Sequence, residues 1–346
     1  MHMADALISP PIGVTMLIVS AGLITYSAKK IKADSDEKKI PLMGVLGAFI
    51  FASQMINFSI PATGSSGHLG GGMILAILLG PYPAFLVMCS VLLVQALFFA
   101  DGGLLALGCN MFNLGFFPCF IAYPFVFRKL IKNNFNEKQM LIASLVSAII
   151  ALQLGAFCVV LETFFSGISE LPFKTFFFMM QPIHLAIGIV EGIVTSAVVI
   201  FIWKAKPEIF NSAFNKTSMA STKLKKVIIS LLIISALVGA IISWFASSNP
   251  DGLEWSMFKT SGHEELETPG NNIYSKAAEI QAKTTFMPDY AFKKDAAKNI
   301  STEESPGLWA SVDFGTSIAG IVGAALTLII ILFIGFALKK KARLSN

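Results

Sequence analysis

Long apolar runs separated by short polar stretches dominate the pattern of hydrophobic and polar positions along the chain. A helix needs about 20 apolar residues to cross the hydrocarbon core of a membrane. On this criterion the pattern predicts an all-α polytopic membrane protein, with a seven-helix bundle followed by two extra transmembrane helices. The candidate spans are residues 12–28, 41–58, 69–80, 84–100, 105–127, 139–163, 176–203, 225–246 and 314–338.

The third candidate span differs from the others because it is short and begins with three glycines, Gly70, Gly71 and Gly72. Irregular backbone is tolerated at membrane depth only where protein surrounds it. We therefore expect either a short tilted helix or a half-helix that the chain enters from a buried loop.

The composition agrees with a membrane protein. Hydrophobic residues make up 55% of the chain and charged residues only 14%, against about 25% charged residues in an average soluble domain. These figures exclude a disordered chain and a disulfide scaffold, and they disfavour an ordinary soluble enzyme. All four cysteines lie inside apolar runs without CxxC spacing, so we expect them to be buried as small hydrophobic side chains.

The distribution of basic residues predicts the orientation of the chain in the membrane. Of the 26 Lys and Arg residues, 19 fall in four clusters that follow spans 1, 5, 7 and 9. Because basic residues collect on the cytoplasmic side, the N-terminus is expected outside and the C-terminus inside. The pattern is unlike the single basic face of a nucleic-acid-binding protein. The clusters are Lys29–Lys39, Arg128–Lys138, Lys204–Lys226 and Lys339–Arg343.

The chain divides at a polar stretch over residues 206–224, which we interpret as a cytoplasmic linker between a unit at 1–205 and a unit at 225–346. The second unit contains an extracytoplasmic loop at 250–313, which carries 11 of the 21 acidic residues. This loop could help to load a metal site on the same side, or it could be a solvated and partly disordered segment.

The first two residues offer three nitrogen donors in sequence: the Met1 amine, the His2 amide and His2 Nδ1. No positively charged signal region precedes span 1, so we expect Met1 to stay in place with a free amine outside the membrane. Chelate rings of five and six atoms around a rigid amide favour a planar arrangement, which suits Ni(II) or Cu(II) and admits Co(II). His68, in a glycine-rich loop on the same side, is the candidate fourth donor. The alternative is that His2 is a chance residue and that His68 caps a helix.

Two ionisable residues, His184 and Glu191, lie seven positions apart on one face of span 7. Ionisable groups inside a membrane helix are functional candidates, but these two could equally form a buried hydrogen-bonding pair that fixes helix packing. As an acid and a base they would suit a membrane-embedded enzyme, although no catalytic motif accompanies them. His263, in the acidic loop, is expected to be solvated.

The sequence has no GxxxxGK[ST] phosphate-binding loop, and neither HExxH nor GxSxG occurs. Uphill transport by this chain would therefore depend on an ion gradient or on an ATPase carried by another chain.

Four stretches of the first unit form a recognisable combination. They are Met1–Pro10, Ser66–Gly72, Phe98–Gly103 with Gly108–Met111, and His184–Gly192. Together they resemble the substrate-specific component of nickel and cobalt energy-coupling-factor transporters, the CbiM/NikM type, over about residues 1–205. In the second unit, Pro250–Glu254 reads PDGLE and resembles the signature of the two-span auxiliary subunit of the nickel systems, the NikN type.

The resemblance implies that the Met1 amine, the His2 amide and imidazole, and His68 hold the metal. By analogy with the family, Asn110 and Asn113 would orient the loops around His68, since residues around a ligand commonly fix its imidazole. The resemblance also implies a membrane scaffold protein and one or two cytoplasmic ATPases as partners, in the cell membrane of a prokaryote. It implies no cofactor besides the transported metal.

The sequence thus predicts the metal-capturing component of an ATP-driven Ni(II) or Co(II) importer. Its ligand nitrogens must be free of protons, so we expect metal affinity to fall below about pH 6. A gradient-driven metal permease, which needs no ATPase, is the main alternative, and a metal-sensing receptor is disfavoured because the chain has no cytoplasmic output domain.

Overall fold

The computed structural model describes residues 2–34, 39–131, 135–215, 224–270, 272–292 and 314–343. These residues are mostly helical, and one small antiparallel hairpin pairs β1 (Phe58–Ile60) with β2 (Ser65–Gly67). The fold class predicted from the apolar runs, an all-α membrane protein, is confirmed.

The first part of the chain forms helices α1 to α8. Two of these helices continue as π-helical turns, α4 through Gln95–Phe99 and α5 through Phe112–Phe127. The bounds are α1 Pro10–Asp34, α2 Lys39–Gln54, α3 Gly72–Leu79, α4 Pro81–Val94, α5 Leu107–Met111, α6 Glu137–Ser166, α7 Phe173–Ala205 and α8 Pro207–Asn215.

The second part contributes two long apolar helices with two shorter polar helices between them. Single 3₁₀ turns occur at Asp5–Leu7, Ile242–Phe245 and Pro288–Tyr290. The helices are α9 Lys225–Ala240, α10 Gly252–Ser261, α11 Asn272–Thr284 and α12 Phe314–Arg343.

Six of the described helices are long and apolar enough to cross a membrane, namely α1, α4, α5, α6, α7 and α12 with their extensions. The other three predicted spans correspond to α2, α3 and α9, which are shorter, so the count of seven plus two spans stays a prediction. Helix α3 has only 8 residues, which is about 12 Å of helix. It starts after Gly71, whose φ of 75° is left-handed, and this agrees with a half-helix entered from a loop.

Close helix contacts join the two parts of the chain. Gly47 of α2 faces Ile331 of α12, and Gly239 of α9 faces Gly320 of α12 so closely that a Cβ on Gly320 would overlap the backbone of Gly239. In a bilayer, moving apolar side chains from lipid to a helix interface gives little driving force for helix packing. Small residues instead let the helix backbones approach closely. The long helices of the second part therefore pack beside α2 rather than standing apart.

The residues predicted as a polar linker begin with a packed helix. In α8 the side chains of Ile209, Phe210 and Phe214 are buried, and Phe135 lies edge-on to both phenylalanines. The predicted linker at 206–224 therefore contains a helix with one packed apolar face over 207–215, and the division of the chain at this linker stays a prediction. Residues 216–223 lie outside the described part of the chain.

The acidic segment between α9 and α12 folds against the first part of the molecule. The Ser66 N–H donates to the Pro250 carbonyl at 2.8 Å, and Gln281 Nε2 donates to the Gly102 carbonyl at 2.8 Å. Tyr274 donates to the Ile8 carbonyl at 2.9 Å. The described part of this loop therefore contains two helices and contacts the first unit; residues 293–313 lie outside the description, and a role of the loop in loading a metal site stays a prediction.

All four cysteines carry free thiols. Cys89, Cys109 and Cys119 are buried as expected, and Cys158 is half-buried.

Candidate metal centre

The N-terminal segment is held in place by backbone pairing around Met3. The Met3 N–H donates to Asn110 Oδ1 at 2.8 Å, and Asn110 Nδ2 donates back to the Met3 carbonyl at 3.2 Å. The Gly103 N–H donates to the same carbonyl at 2.9 Å. Met3 is fully buried, so the residue next to it, His2, is fixed relative to the loop that follows α4.

Asp5 ties the same segment to the start of α5. Its Oδ1 accepts the N–H groups of Leu105 and Ala106 at 2.8 Å and 3.0 Å. Burial raises the pKa of Asp5 above its ordinary value, and these two backbone hydrogen bonds oppose the shift.

The two predicted imidazole ligands, His2 and His68, lie together in this region. Their rings are stacked with centroids 5.0 Å apart and an interplanar angle of 16°, and the two side chains are only 7% and 9% exposed. The residues are 66 positions apart in the sequence, so the fold has brought two buried nitrogen donors to one place. This arrangement is the donor chemistry that late first-row divalent metals prefer.

His2 Nδ1 lies 2.8 Å from Asp101 Oδ1, whereas His2 Nε2 is buried without a hydrogen-bond partner. Nδ1 is the atom that the sequence predicts as a metal ligand. Chelation through it therefore requires His2 to release Asp101. The orientation of an imidazole sets which nitrogen is available to a metal.

Asp101 was not predicted as part of the site, although it lies within one of the family-like stretches. Burial alone would raise its pKa, but the charge of His2 and hydrogen bonds from His2 and Tyr290 hold the pKa well below the ordinary range. Tyr290 donates to Asp101 Oδ2 at 2.5 Å. Asp101 is thus an ionised carboxylate that contacts His2 from one side and the second unit from the other.

Burial lowers the pKa of His68 to about 3, so its imidazole is neutral at physiological pH and can accept a metal. Its Nδ1 lies 3.2 Å from the Leu69 carbonyl. Its Nε2 lies 4.0 Å from Asp251 Oδ2, in the PDGLE segment of the second unit.

Glu191 supports the loop that follows His68. Its two carboxylate oxygens accept the N–H groups of Gly70 and Gly71 at 2.9 Å and 3.1 Å. Gln54 Nε2 donates to the Gly70 carbonyl at 2.8 Å, and Gln95 Nε2 donates to Gln54 at 2.9 Å. These contacts hold the carbonyl and the N–H of the Gly70–Gly71 peptide, which lies two residues after His68.

His184 has different partners. Its Nδ1 lies 2.8 Å from the Met180 carbonyl, its Nε2 is buried without a partner, and it lines a cavity of about 10 Å³ together with His68 and Asp251. Among the described residues His184 and Glu191 share no hydrogen bond. The hypotheses of an acid–base pair and of a hydrogen-bonded packing pair are therefore both unsupported, since Glu191 accepts from Gly70 and Gly71 whereas His184 bonds to a carbonyl of its own helix.

Asn110 and Asn113 both contact the N-terminal segment. Asn110 pairs with Met3, and Asn113 Nδ2 lies 2.7 Å from Glu162 Oε2 and 3.8 Å from Met3 Sδ. Asn110 therefore holds the N-terminal segment, whereas Asn113 also lines a small cavity with Gly70 and Glu191, next to the loop that carries His68, so that the predicted role around His68 stays a prediction.

Two predicted positions stand apart from this group. His263 is exposed, as expected for a solvated residue, and Met1 lies outside the described residues. Within the described ranges no three His, Cys, Asp or Glu side chains converge closely enough to hold an ion. His2 and His68 would therefore need further donors, and amine and backbone amide nitrogens are the donors that the first two residues offer.

Each of the two parts of the chain matches a known family model. Residues 2–209 match the family model CbiM, described as the cobalt uptake substrate-specific transmembrane region, and residues 225–340 match the PDGLE domain. Over 345 residues, 99% of both chains, the sequence is 32% identical to a putative fused nickel transport protein NikMN of Archaeoglobus fulgidus.

Other relatives correspond to the first part alone. A putative metal transport protein of Haloquadratum walsbyi is 33% identical over 64% of this chain and 98% of its own length. A crystal structure described as a truncated transition metal transporter is 29% identical, covers 59% of this chain and 99% of that chain, and superposes with a TM-score of 0.53. The first part therefore occurs in other proteins without the second.

Proposed function

The chain belongs to the CbiM family of cobalt uptake substrate-specific transmembrane regions, and on this premise we propose that it captures Ni(II) or Co(II) for import. Capture takes place on the extracytoplasmic side. The chain then delivers the metal as the substrate-specific component of an energy-coupling-factor transporter, in the cell membrane of a prokaryote.

The observation that carries this proposal is the buried, stacked pair of His2 and His68. In the proposed site four nitrogens surround the metal: the Met1 amine, the His2 amide, the His2 imidazole and the His68 imidazole. Asp101 accepts a hydrogen bond from His2 in the metal-free arrangement and offers negative charge beside the cation in the loaded one. Glu191, Gln54 and Gln95 hold the His68 loop, as outer partners of a metal ligand do.

Nickel is the preferred substrate in this proposal. Four nitrogens in a plane suit low-spin Ni(II), whereas carboxylate-rich sites suit harder ions. The match of residues 225–340 to the PDGLE domain, which follows the first unit in a relative named for nickel transport, agrees with this choice.

The remaining parts of the proposal concern organisation and partners. Residues 1–205 form the metal-binding unit, 206–224 connect it on the cytoplasmic side, and 225–346 form the auxiliary unit. Since the sequence carries no phosphate-binding loop, ATP is hydrolysed on partner subunits, which act on this chain through a membrane scaffold protein.

The first test is the metal content and visible spectrum of the purified chain with an unmodified N-terminus, incubated with Ni(II) or Co(II). We expect one equivalent of nickel and the band of a yellow, diamagnetic square-planar complex. His68→Ala should lose both, whereas His263→Ala, which changes an exposed histidine, should keep both. Stoichiometric cobalt with nickel excluded would change the substrate, and metal unaffected by His68→Ala would reject the site.

A second test separates this function from a gradient-driven permease. The chain alone, in proteoliposomes under an imposed ion gradient, should give no nickel uptake, because the energy comes from ATP on other subunits. Uptake by the chain alone would favour the permease.

A further inference from the structure

A cavity of about 470 Å³ lies at the end of α3 that is opposite to the His68 loop, and we name it the basic cavity. Its wall is formed by the end of α1, the start of α2, the corner between α3 and α4, the extension of α5 and helix α8. Small-molecule sites have volumes of about 300–1,000 Å³, so the space can hold a ligand. Neither His2 nor His68 lines it.

Three basic side chains line the basic cavity, and its described lining residues include no acidic side chain. The three are Lys30 at the end of α1, Lys39 at the start of α2 and Arg128 after the extension of α5. Within the described part of the chain, Lys30 and Arg128 form no ion pair. Their cationic groups lie 5.5 Å from the Tyr26 ring and 4.8 Å from the Phe214 ring. An aromatic ring does not satisfy the several N–H donors of these groups, so both retain donors for an anion.

The charge of the basic cavity determines the sign of its ligand. Three positive side chains repel a divalent cation, so the transported metal is not the ligand here. Helix α3 ends at the cavity and α4 begins there, so their dipoles oppose each other and the side chains decide the sign. A concave surface of one charge sign concentrates ions of the opposite sign. The ligand is therefore an anion.

Much of the remaining wall is apolar or aromatic, as at Ile40 and Phe120. All three tyrosines of the first unit also lie here. Tyr82 and Tyr123 line the cavity, and the Tyr26 ring is centred 5.6 Å from the Tyr82 ring. Tyrosine collects at the boundary between hydrocarbon and water. The cavity therefore lies at the depth of lipid headgroups, where a molecule with a charged end and an apolar body fits better than a small inorganic anion.

We propose that the basic cavity binds one anionic phospholipid. Its phosphate contacts Lys30, Lys39 and Arg128, and part of an acyl chain lies along the apolar wall. Basic pockets between transmembrane helices are typical sites for anionic headgroups, and a guanidinium group can bind two phosphate oxygens at once. A lipid in this position touches helices that are distant in the sequence, so it stabilises the folded bundle. The inference does not depend on the metal site.

The test uses the full chain in a neutral detergent with one of three additives: phosphatidylglycerol, phosphatidylcholine with the same acyl chains, or inorganic phosphate. Native mass spectrometry counts the bound lipids, and the midpoint of thermal unfolding at increasing lipid concentration gives the affinity. We expect one retained phosphatidylglycerol that raises the midpoint, because a ligand that binds only the folded state stabilises it. Phosphatidylcholine should have a smaller effect. An equal rise with inorganic phosphate would assign the cavity to a free anion and overturn the proposal.

Charge variants locate the phosphate. Lys30→Gln with Arg128→Gln should weaken phosphatidylglycerol binding about 30-fold, from about fivefold for each basic residue near an anionic lipid. Lys30→Gln alone changes an exposed side chain, so it tests the same contact with a fivefold loss if the double variant does not fold. Unchanged lipid binding in the single variant would contradict the site.

A matched control removes the same charge one residue away in each case. Lys29 and Lys129 are exposed and do not line the basic cavity, so Lys29→Gln with Lys129→Gln should bind phosphatidylglycerol like the wild type. An equal loss in this control would show a general attraction of the basic surface for anionic lipid, and the proposed site would be rejected.

A variant that keeps the charge tests the apolar part of the site. Ile31 lines the basic cavity, so Ile31→Trp narrows it and should prevent retention of the lipid. Ile18 is 67% exposed on the same helix and does not line the cavity, so Ile18→Trp should retain the lipid. Retention by both variants would contradict insertion of the lipid into the cavity.

Nickel binding separates this inference from the proposed function. Helix α3, about 12 Å long, lies between the basic cavity and the His68 loop. Lys30→Gln with Arg128→Gln should therefore bind one nickel, whereas His68→Ala should lose nickel and retain the lipid. Failure of the wild type to bind nickel would leave the lipid site standing, and absence of a retained phosphatidylglycerol would overturn the lipid site alone. If the charge variants blocked assembly with partner subunits but bound lipid normally, the cavity would be a protein-docking surface and the proposal would be wrong.

Discussion

At the scale of single residues, Asp101 connects His2, a proposed metal ligand, to Tyr290 of the second unit. One carboxylate oxygen lies 2.8 Å from His2 and the other accepts the Tyr290 hydroxyl at 2.5 Å. A buried carboxylate is stable only with such partners, and hydrogen bonds to an ionised group are roughly twice as strong as neutral ones. Metal binding through His2 Nδ1 would break one of them, so Asp101 couples the state of His2 to that of Tyr290.

The N-terminal amine is the most easily tested ligand. Adding four glycines before Met1 moves the free amine away from His2, so that it can no longer close the five-membered chelate ring, and we expect nickel affinity to fall by more than about 100-fold, since a direct ligand matters at least as much as an outer partner. Isothermal titration calorimetry measures the affinity. Four glycines added after Asn346 serve as the control, and normal nickel binding to the N-terminally extended chain would remove Met1 from the site.

The pH dependence of the site should not arise at His68. Burial disfavours the protonated form and lowers the pKa of His68 to about 3, so this imidazole stays neutral, and able to bind metal, from pH 7 to pH 5. Any loss of affinity in that range then comes from the other nitrogens. Nitrogen-15 spectra of the histidine side chains, assigned with His68→Gln, measure this directly; protonation with a midpoint near 6.5 would contradict it.

The sequence made His2 and His68 candidates because histidines are few and the first two residues offer a chelate, and the fold places these two rings together. Asp101 and Tyr290 could not be found in this way. They are 189 residues apart, and no local pattern encodes a contact that depends on how the second unit folds back. A carboxylate beside two glycines, in a stretch that resembles the family, was the available signal for Asp101.

At the scale of elements, the half-helix α3 determines where His68 lies. Glu191, on α7, accepts the N–H groups of Gly70 and Gly71 just before α3 begins. The first N–H groups of a helix have no partner within it, and the helix dipole favours negative charge there. Glu191 therefore fastens the start of α3, and with it the loop that carries His68, to one of the long helices.

Replacing Glu191 by Gln should loosen this loop. The amide has one oxygen acceptor where the carboxylate has two, so one of the glycine N–H groups loses its bond. We expect nickel affinity to fall 10- to 100-fold, the range typical of outer partners of metal ligands, with the stoichiometry unchanged. Equilibrium nickel titration measures the effect, and Glu170→Gln, on an exposed loop, is the control. Unchanged affinity would show that Glu191 does not position His68.

Helices that cross the membrane were predictable because their apolar length is set by the bilayer and needs no knowledge of neighbours. Elements that depend on tertiary contacts were not. Helix α8 was taken for linker because only Ile209, Phe210 and Phe214 are large and apolar in a polar stretch. Helices α10 and α11 were not predicted, because their residues were taken as part of an acidic loop. The capping box of Asp251 and Glu254 in PDGLE is nevertheless a sequence signal for a helix start.

At the scale of the whole molecule, the second unit covers the proposed metal site of the first. Trp255 Nε1 donates to the Thr63 carbonyl at 2.9 Å, and the Ser66 N–H donates to the Pro250 carbonyl at 2.8 Å. Asp251 lies 4.0 Å from His68. The fused chain keeps this cover at a high effective concentration, since both units are joined through the segment at 216–223.

This arrangement predicts that removing the second unit changes how long metal is held more than whether it binds. The first unit occurs alone in relatives, so a chain ending at Asn215 should fold and bind one nickel through the same nitrogens. Without the cover its nickel should dissociate about tenfold faster or more, because differences between related complexes appear mostly in the dissociation rate. Exchange of nickel against a chelator measures the rate.

Supplying the second unit as a separate chain tests whether contact itself slows release. Residues 216–346 co-expressed with residues 1–215 should restore slow dissociation, because α9 and α12 pack against α2 without a covalent link. Within the full chain, Trp255→Phe removes the hydrogen bond to Thr63 while keeping an aromatic ring, and it should give an intermediate rate. Equal dissociation rates for the intact, split and shortened chains would show that the second unit does not close the site.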